Sequence, residues 1–310
     1  MTERPIHIVH VGSASRDLTE DDPRGWRLGG GASYAALTTA RLGLRTAALV
    51  GVDPAASNAA ELDLLRGAGV ELLLVPLGEG PVFRNRETPG GRAQTCLAPG
   101  ERMPIPSLPA SWHEAPAWSL APVAGELGDS WAAAVPDRAF LSLGWQGLLR
   151  DLVAHREVAR RPPAASPLLD RADLVGVSRH DLEPGTSLPG LMRLLRVGAQ
   201  LVVTEGRAGG RLIHVGGDGR ARTQPYRAIA TSREIDPTGA GDVFLAALVA
   251  SMVRPAANGR RSRRHPRLDL EFAAAVASCV VEGPGLHGVP DRQAVLARLV
   301  CDRSSWPSSG

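Results

Sequence analysis

The sequence predicts an α/β domain of three layers, with helices on both faces of a mostly parallel central sheet and a small β lid. Three observations predict it. Short apolar runs rich in Val, Ile and Leu recur along the chain, as in strands buried on both faces. Longer helix-patterned stretches alternate with those runs, the rhythm of α/β domains. Two polar stretches break the rhythm and read as pieces that leave the main sheet.

In chain order, the strand-like runs are residues 6–11, 46–52, 70–77, 139–143, 174–177 and 201–204. Helix-patterned stretches cover 32–42, 57–67, 188–197, 242–253, 270–282 and 291–300, several of them closed by Gly. The stretches out of rhythm are about 15–28 and 81–95. The second alternates like an exposed hairpin, with Pro89, Gly90 and Gly91 at its turn. Residues 97–128 are Pro-rich and read as an irregular connection packed by Trp112 and Trp118. The 310 residues, 44% hydrophobic and 22% charged, suit one domain over 1–303, with 304–310 as a frayed tail.

Composition removes several classes of function. All 35 residues of the Lys+Arg count are arginine, which excludes Schiff-base chemistry, the P-loop lysine and the strand lysine of protein kinases. Cys96, Cys279 and Cys301 are far apart and show no C-x-x-C spacing, so neither a disulfide framework nor a cysteine zinc site is indicated. His7, His10, His155, His180 and His287 have no H-E-x-x-H spacing. Ser142, in L-S-L-G-W, lacks the glycines of a hydrolase elbow, and no G-x-G-x-x-G follows the first strand. The net charge is +3. The basic run at 260–267 reads as a solvated loop rather than a nucleic-acid surface. Without a long apolar span or a leader-like start, the expectation is a cytoplasmic protein with no membrane or nucleic-acid partner.

The segment I-D-P-T-G-A-G-D-V-F-L-A-A-L-V-A, residues 235–250, carries the chemistry. Gly239, Ala240 and Gly241 stand immediately before a strongly helical run, so their backbone N–H groups can converge on an anion at a helix N-terminus. Asp242 follows in the first turn, beside that anion site, where it can accept a proton from a hydroxyl attacking phosphorus. The competing reading is a capped helix start after a tight turn.

The combination D-x-T-G-A-G-D, Asp236 to Asp242, closely resembles the signature of the PfkB, or ribokinase-like, family of carbohydrate kinases. The resemblance implies a ribokinase-like fold and an ATP-dependent phosphotransferase acting on a hydroxyl of a sugar, polyol or nucleoside. It makes Asp242 the base and Gly239–Gly241 the anion hole, and it puts Asp236 and Thr238 by a monovalent-cation site, with K+ as the expected ion.

Further segments resemble the family in the same order. Gly12 to Asp17 (G-S-A-S-R-D) resembles the strand end that supplies a substrate-binding Asp, here Asp17. A solvated loop acid among Glu20, Asp21 and Asp22 is the other reading. Leu28 to Gly43 (L-G-G-G-A-S-Y…) resembles the first glycine signature, in which Gly29 and Gly30 line the sugar site. Tyr34 stands where the family often has a substrate-contacting Asn, a departure similar to the inositol-kinase-like subgroup. Val175 to Leu182 (V-G-V-S-R-H-D-L) occupies the place of N-x-x-E, with Ser178 and Asp181 as shorter substitutes that would organise phosphate and water-held Mg2+; a capped turn after a strand explains them equally well.

Leu201 to Gly210 (L-V-V-T-E-G-R-A-G-G) resembles the segment along the nucleotide, which assigns Thr204, Gly206 and Gly209 to the donor. Residues 272–290 resemble the adenine-side helix and loop, with Ala in place of a frequent Asn. Arg84, Arg86 and Arg92 on the lid are candidates for substrate or phosphate contacts in place of the missing lysines, or else solvated strand residues. A catalytically silent sugar or nucleotide sensor on the same scaffold is the alternative function, and pairing of two copies into a homodimer is left open.

Overall fold

A computed structural model describes residues 5–88, 91–216, 220–253 and 268–304. The first half supplies strands β1 (Ile8–Ser13), β2 (Arg16–Leu18), β3 (Trp26–Leu28), β4 (Thr46–Val52), β5 (Glu71–Pro76), β6 (Val82–Thr88), β7 (Gly91–Ala98), β8 (Ala117–Leu120) and β9 (Phe140–Gly144). The second half adds β10 (Arg150–Asp151), β11 (Arg156–Glu157), β12 (Ala159–Arg160), β13 (Leu174–Ser178), β14 (Gln200–Thr204), β15 (Gly210–Val215) and β16 (Ala221–Tyr226). Helices are α1 (Gly31–Arg41), α2 (Ala60–Gly67), α3 (Ala110–His113), α4 (Trp131–Ala134), α5 (Pro167–Arg171), α6 (Leu188–Met192), α7 (Ala240–Val253), α8 (Leu270–Val280) and α9 (Arg292–Ser304).

The main sheet runs β16-β15-β14-β13-β9-β8-β1-β4-β5. Every pairing from β14 to β5 is parallel, and β15 and β16 close one edge antiparallel. Alternate residues of β1 go to opposite faces. Ile8 joins a core built with α1, α2, α7 and α8, whereas Val9 and Val11 join a second core containing Trp112, Trp118, Trp131, Leu168 and Leu191. These are the two dry interfaces of a three-layer domain. His10 faces the helical side, where its Nε2 lies 2.9 Å from Thr39 Oγ1, and burial pushes it down to about 3, so it stays neutral.

The stretches that broke the sequence rhythm form a separate sheet, in the order β11-β7-β6-β2-β3. β2 pairs parallel to β6 and antiparallel to β3, so residues 16–28 and 82–98 meet in one layer. Residues 97–128 are not wholly irregular, because Trp118 sits in β8, the neighbour of β1. The 188–197 pattern is helical only over Leu188–Met192, and the 57–67 pattern becomes α-helical at Ala60. The basic run 260–267 and residues 305–310 lie outside the described residues.

Helix α7 explains why its sequence is apolar on every side. Val243 to Ala250 are all buried, because the helix is wedged against β8, β9 and β13 and flanked by α1 and α8. Its small residues allow that approach. Each larger one, such as Leu248, adds about 1.5–3 kcal/mol by leaving water.

Candidate active site

The strand order reverses beside β1: β4 and β5 extend one way, β8, β9, β13 and β14 the other. In open α/β sheets the crevice at the carboxyl ends of such strands is the binding place. The sequence-derived candidates follow those ends. Asp17 comes after β1, Asp181 after β13 and Gly206 after β14, while Asp242 enters from the first turn of α7.

Asp242 is partly buried, and α1 and α7 bring their N-termini together around it. A Cβ placed on Gly31, the first residue of α1, would stand 2.7 Å from Asp242 Oδ1 and 3.1 Å from Ala121 Cβ, so the carboxylate lies against bare backbone. Among the described residues no hydrogen bond to the Asp242 carboxylate is formed. Burial pushes it up to about 6, Arg150 pulls it down and Asp181 pushes it up further. An ordinary surface carboxylate is a poor base at neutral pH. One tuned to about 6 is better matched to taking a proton there.

The turn ahead of Asp242 has two kinds of glycine. Gly239 adopts φ 80, and a Cβ there would stand 2.5 Å from Tyr34 Cε1. Gly241 is exposed, with no atom within 4 Å of where its Cβ would be. The first glycine is demanded by packing, and the second leaves the N-terminus of α7 open. Tyr34 is only 2% exposed and belongs to the helical-side core. Its ring stands against the Gly239 turn, as a support.

On the acceptor side, Asp17 lies in β2, and a Cβ on Gly29 would run into its Oδ2 and stand 2.7 Å from Ser15 Oγ. The glycine thus lets the carboxylate lie along the backbone. Gly30 caps α1 with φ 100 and packs against Ser13 O and Ala14 Cα. Arg84 and Arg86 are exposed on β6. Arg92 lies in β7 opposite Glu87, and its side chain is outside the described residues.

On the donor side, Ser178 Oγ accepts from His180 N at 3.2 Å, the capped turn that was its competing reading. Asp181 Oδ1 accepts from Gln146 Nε2 at 3.2 Å and lies 4.0 Å from Arg150 Nη2. Thr204 ends β14, and Gly206 starts the turn that leads to Gly209. At Gly209, with φ 87, a Cβ would meet Tyr226 O and Arg227 Cα, the latter at 2.8 Å, so this glycine is required by the hairpin itself. Asp236 ties its loop together: Oδ1 accepts from Thr238 N at 2.9 Å and Oδ2 from Gly285 N at 3.1 Å. Asp236 and Thr238 therefore fix the approach to the Gly239–Gly241 turn.

Two residues at the site carry no sequence signal. Glu126, 3% exposed, accepts from the backbone N–H groups of Ser13, Val123 and Ala124, and pins the end of β1 to the chain after β8. Burial pushes its carboxyl up against those bonds. Arg150, at the start of β10, sends its guanidinium back into the crevice. Its side chain is 13% exposed, Nη1 donates to Val123 O at 3.2 Å, and Cζ stands 5.7 Å from the centre of the Phe83 ring. Burial lowers its pKa, and the carboxylates of Asp181, Asp242, Asp17 and Glu126 oppose that, all acting on this one cation.

A site with a tuned carboxylate, an open helix N-terminus and a buried guanidinium suits phosphoryl transfer, where positioning and electrostatics do most of the work. Comparison with known proteins agrees. Residues 159–292 match the pfkB family of carbohydrate kinases. A ribokinase of Arabidopsis thaliana is 27% identical over 147 residues, 44% of this chain and 36% of that protein's length. Among solved structures, ribokinase from Giardia lamblia superposes with a TM-score of 0.68 at 19% identity, covering 96% of this chain and 99% of that one. The Methanocaldococcus jannaschii nucleoside kinase gives 0.65 at 17%, covering 96% and 99%. A pyrophosphate-dependent kinase of the ribokinase family gives 0.66 at 20%, covering 94% and 99%. The likenesses to solved structures show the ribokinase fold, and the match to the pfkB family of carbohydrate kinases spans the segment that carries Asp236 to Asp242.

Proposed function

We propose that this protein moves the γ-phosphoryl group of ATP onto a hydroxyl of a sugar, polyol or nucleoside, with Asp242 as base. The observation that carries the reading is the Asp242 carboxylate, tuned to about 6 and lying at the open N-terminus of α7 against the bare backbone of Gly31. Support for the classes of donor and acceptor comes from relatives: the Arabidopsis thaliana ribokinase is known in complex with ribose and ATP, and the pyrophosphate-dependent kinase with a pyrophosphate analog and myo-inositol.

In this reading the acceptor lies between Asp17 and Asp242. Asp17 accepts hydrogen bonds from its hydroxyls, and Asp242 takes the proton of the attacking one. The N–H groups of Ala240 and Gly241 receive charge that builds on the equatorial phosphoryl oxygens. Among the described residues no group of three or more His, Cys, Asp or Glu could hold a metal. Mg2+ keeps most of its waters and binds through phosphates with one or two carboxylates. Asp181 would hold it through water, and the ion would neutralise donor charge. The sheet of β2, β3, β6, β7 and β11 acts as the lid.

The test is ATP consumption over a panel of sugars, inositols and nucleosides, followed by Asp242→Asn with the best acceptor. Turnover is expected to fall by about 10²–10⁴-fold, the usual share of a positioned base. Near-wild-type phosphorylation by Asp242→Asn would remove Asp242 from this role. Saturable ligand binding with no turnover across the panel would favour a sensor instead.

A further inference from the structure

The Arg150 guanidinium stands in the crevice with most of its hydrogen-bonding capacity uncommitted. It has five N–H donors, and among the described residues a single hydrogen bond is formed, to Val123 O. Its ion pair with Asp181 is 4.0 Å long, beyond hydrogen-bond reach. The Phe83 ring and Val123 hold the group in place, while attraction from Asp17 on the acceptor side, Asp181 on the donor side and Asp242 between them converges on it. Among the described residues, Arg150 is the cation whose charge opposes the effect of burial on Asp242. Around it the site holds four carboxylates, a setting that repels phosphate unless a cation meets it. In a chain without lysine, a permanently charged side chain that meets it beside any metal ion is an arginine.

We propose that Arg150 is a catalytic residue whose guanidinium grips the terminal phosphoryl group of the donor during transfer. This deepens the kinase reading above and rests on it. A lone pair of the acceptor hydroxyl oxygen forms the new O–P bond. The bond from phosphorus to the bridging oxygen breaks, its electron pair leaving on ADP, and the hydroxyl proton passes to Asp242. Arg150 donates two parallel N–H bonds to equatorial oxygens throughout, the bidentate geometry that a guanidinium offers and an ammonium does not.

The test compares binding of Mg-AMP-PNP and Mg-ADP by calorimetry in the wild type, Arg150→Met and Arg150→Lys. The wild type is expected to hold AMP-PNP more tightly than ADP. Arg150→Met should weaken AMP-PNP by about 10- to 100-fold, as for loss of hydrogen bonds to a charged group, and leave ADP affinity within about twofold, which also reports that the variant is folded. Arg150→Lys should retain only part of the preference, and it carries the test if the Met variant does not fold. An unchanged ratio of AMP-PNP to ADP affinity would overturn the proposal while leaving the kinase reading standing. Failure of the wild type to bind either nucleotide would overturn the ATP-kinase reading itself, and the role of Arg150 with it.

Discussion

Two glycine turns, residues 239–241 ahead of α7 and 206–210 between β14 and β15, look alike in sequence and differ in what holds them. At 209 the glycine is demanded by the chain's own backbone, since Tyr226 O and Arg227 Cα occupy the place of a side chain. At 239 the neighbour is the Tyr34 ring, and at 241 there is no neighbour at all. The 206–210 turn is fixed by the chain's own backbone; the 239–241 turn is held at its first residue and open at its last.

That contrast can be broken by substitution. Gly239→Ala should have the largest effect, because it strains a positive φ and strikes Tyr34, so both stability and turnover fall. A loss of about 2–4 kcal/mol in urea denaturation is expected, with turnover down by about 10²-fold or more from the displaced anion turn. Gly209→Ala should cost a similar 2–4 kcal/mol in the same assay yet keep most of the turnover of the folded fraction. If instead it abolished donor binding at full stability, the turn would be a donor site first. Gly241→Ala should leave stability within about 0.5 kcal/mol and cost about 10²-fold in kcat. Wild-type kcat would mean that the open end of α7 receives no phosphoryl oxygen.

The smallest effect is the one set by pH. With Asp242 raised from 3.8 to about 6, the acid limb of kcat/KM should fall near pH 6 as the base is protonated. The same shift makes the native state bind more protons than the unfolded chain between about pH 4 and 6. Stability therefore declines as pH rises through that window and levels off above it, a dependence that Asp242→Asn should remove.

How legible this was depends on whether a residue's role is local. β4 could be read to its ends, because Thr46–Val52 is buried on both faces and nearly continuous in apolar residues. The Asp236 to Asp242 signature was legible because helix start, glycines and acid are adjacent. β8 was hidden, four residues long inside a Pro-rich stretch, and only its place beside β1 reveals it. β15 and β16 were missed as well, since β16 is exposed and carries Pro225. Sequence order does not tell which side of α1 Tyr34 takes, and its contact with Gly239 comes only from the fold. Arg150 had no signal at all: one arginine in L-L-R-D-L, whose meaning comes from carboxylates at positions 17, 126, 181 and 242.

The smaller sheet also sets an order of events in folding. Its strands come from residues 16–28, 82–98 and 156–157, and β2 meets β6 in parallel across some sixty residues of chain that first builds β4 and β5. Alone, β6 and β7 make a two-stranded hairpin, marginal in water. Closing the remaining loops costs entropy that is recovered only once the main sheet has brought the pieces together. The smaller sheet should therefore form late, and its amides should exchange with solvent well before those of β1 and β4. Phe83, the ring against Arg150, belongs to that late layer, so the guanidinium acquires its brace only when the rest of the molecule is already built.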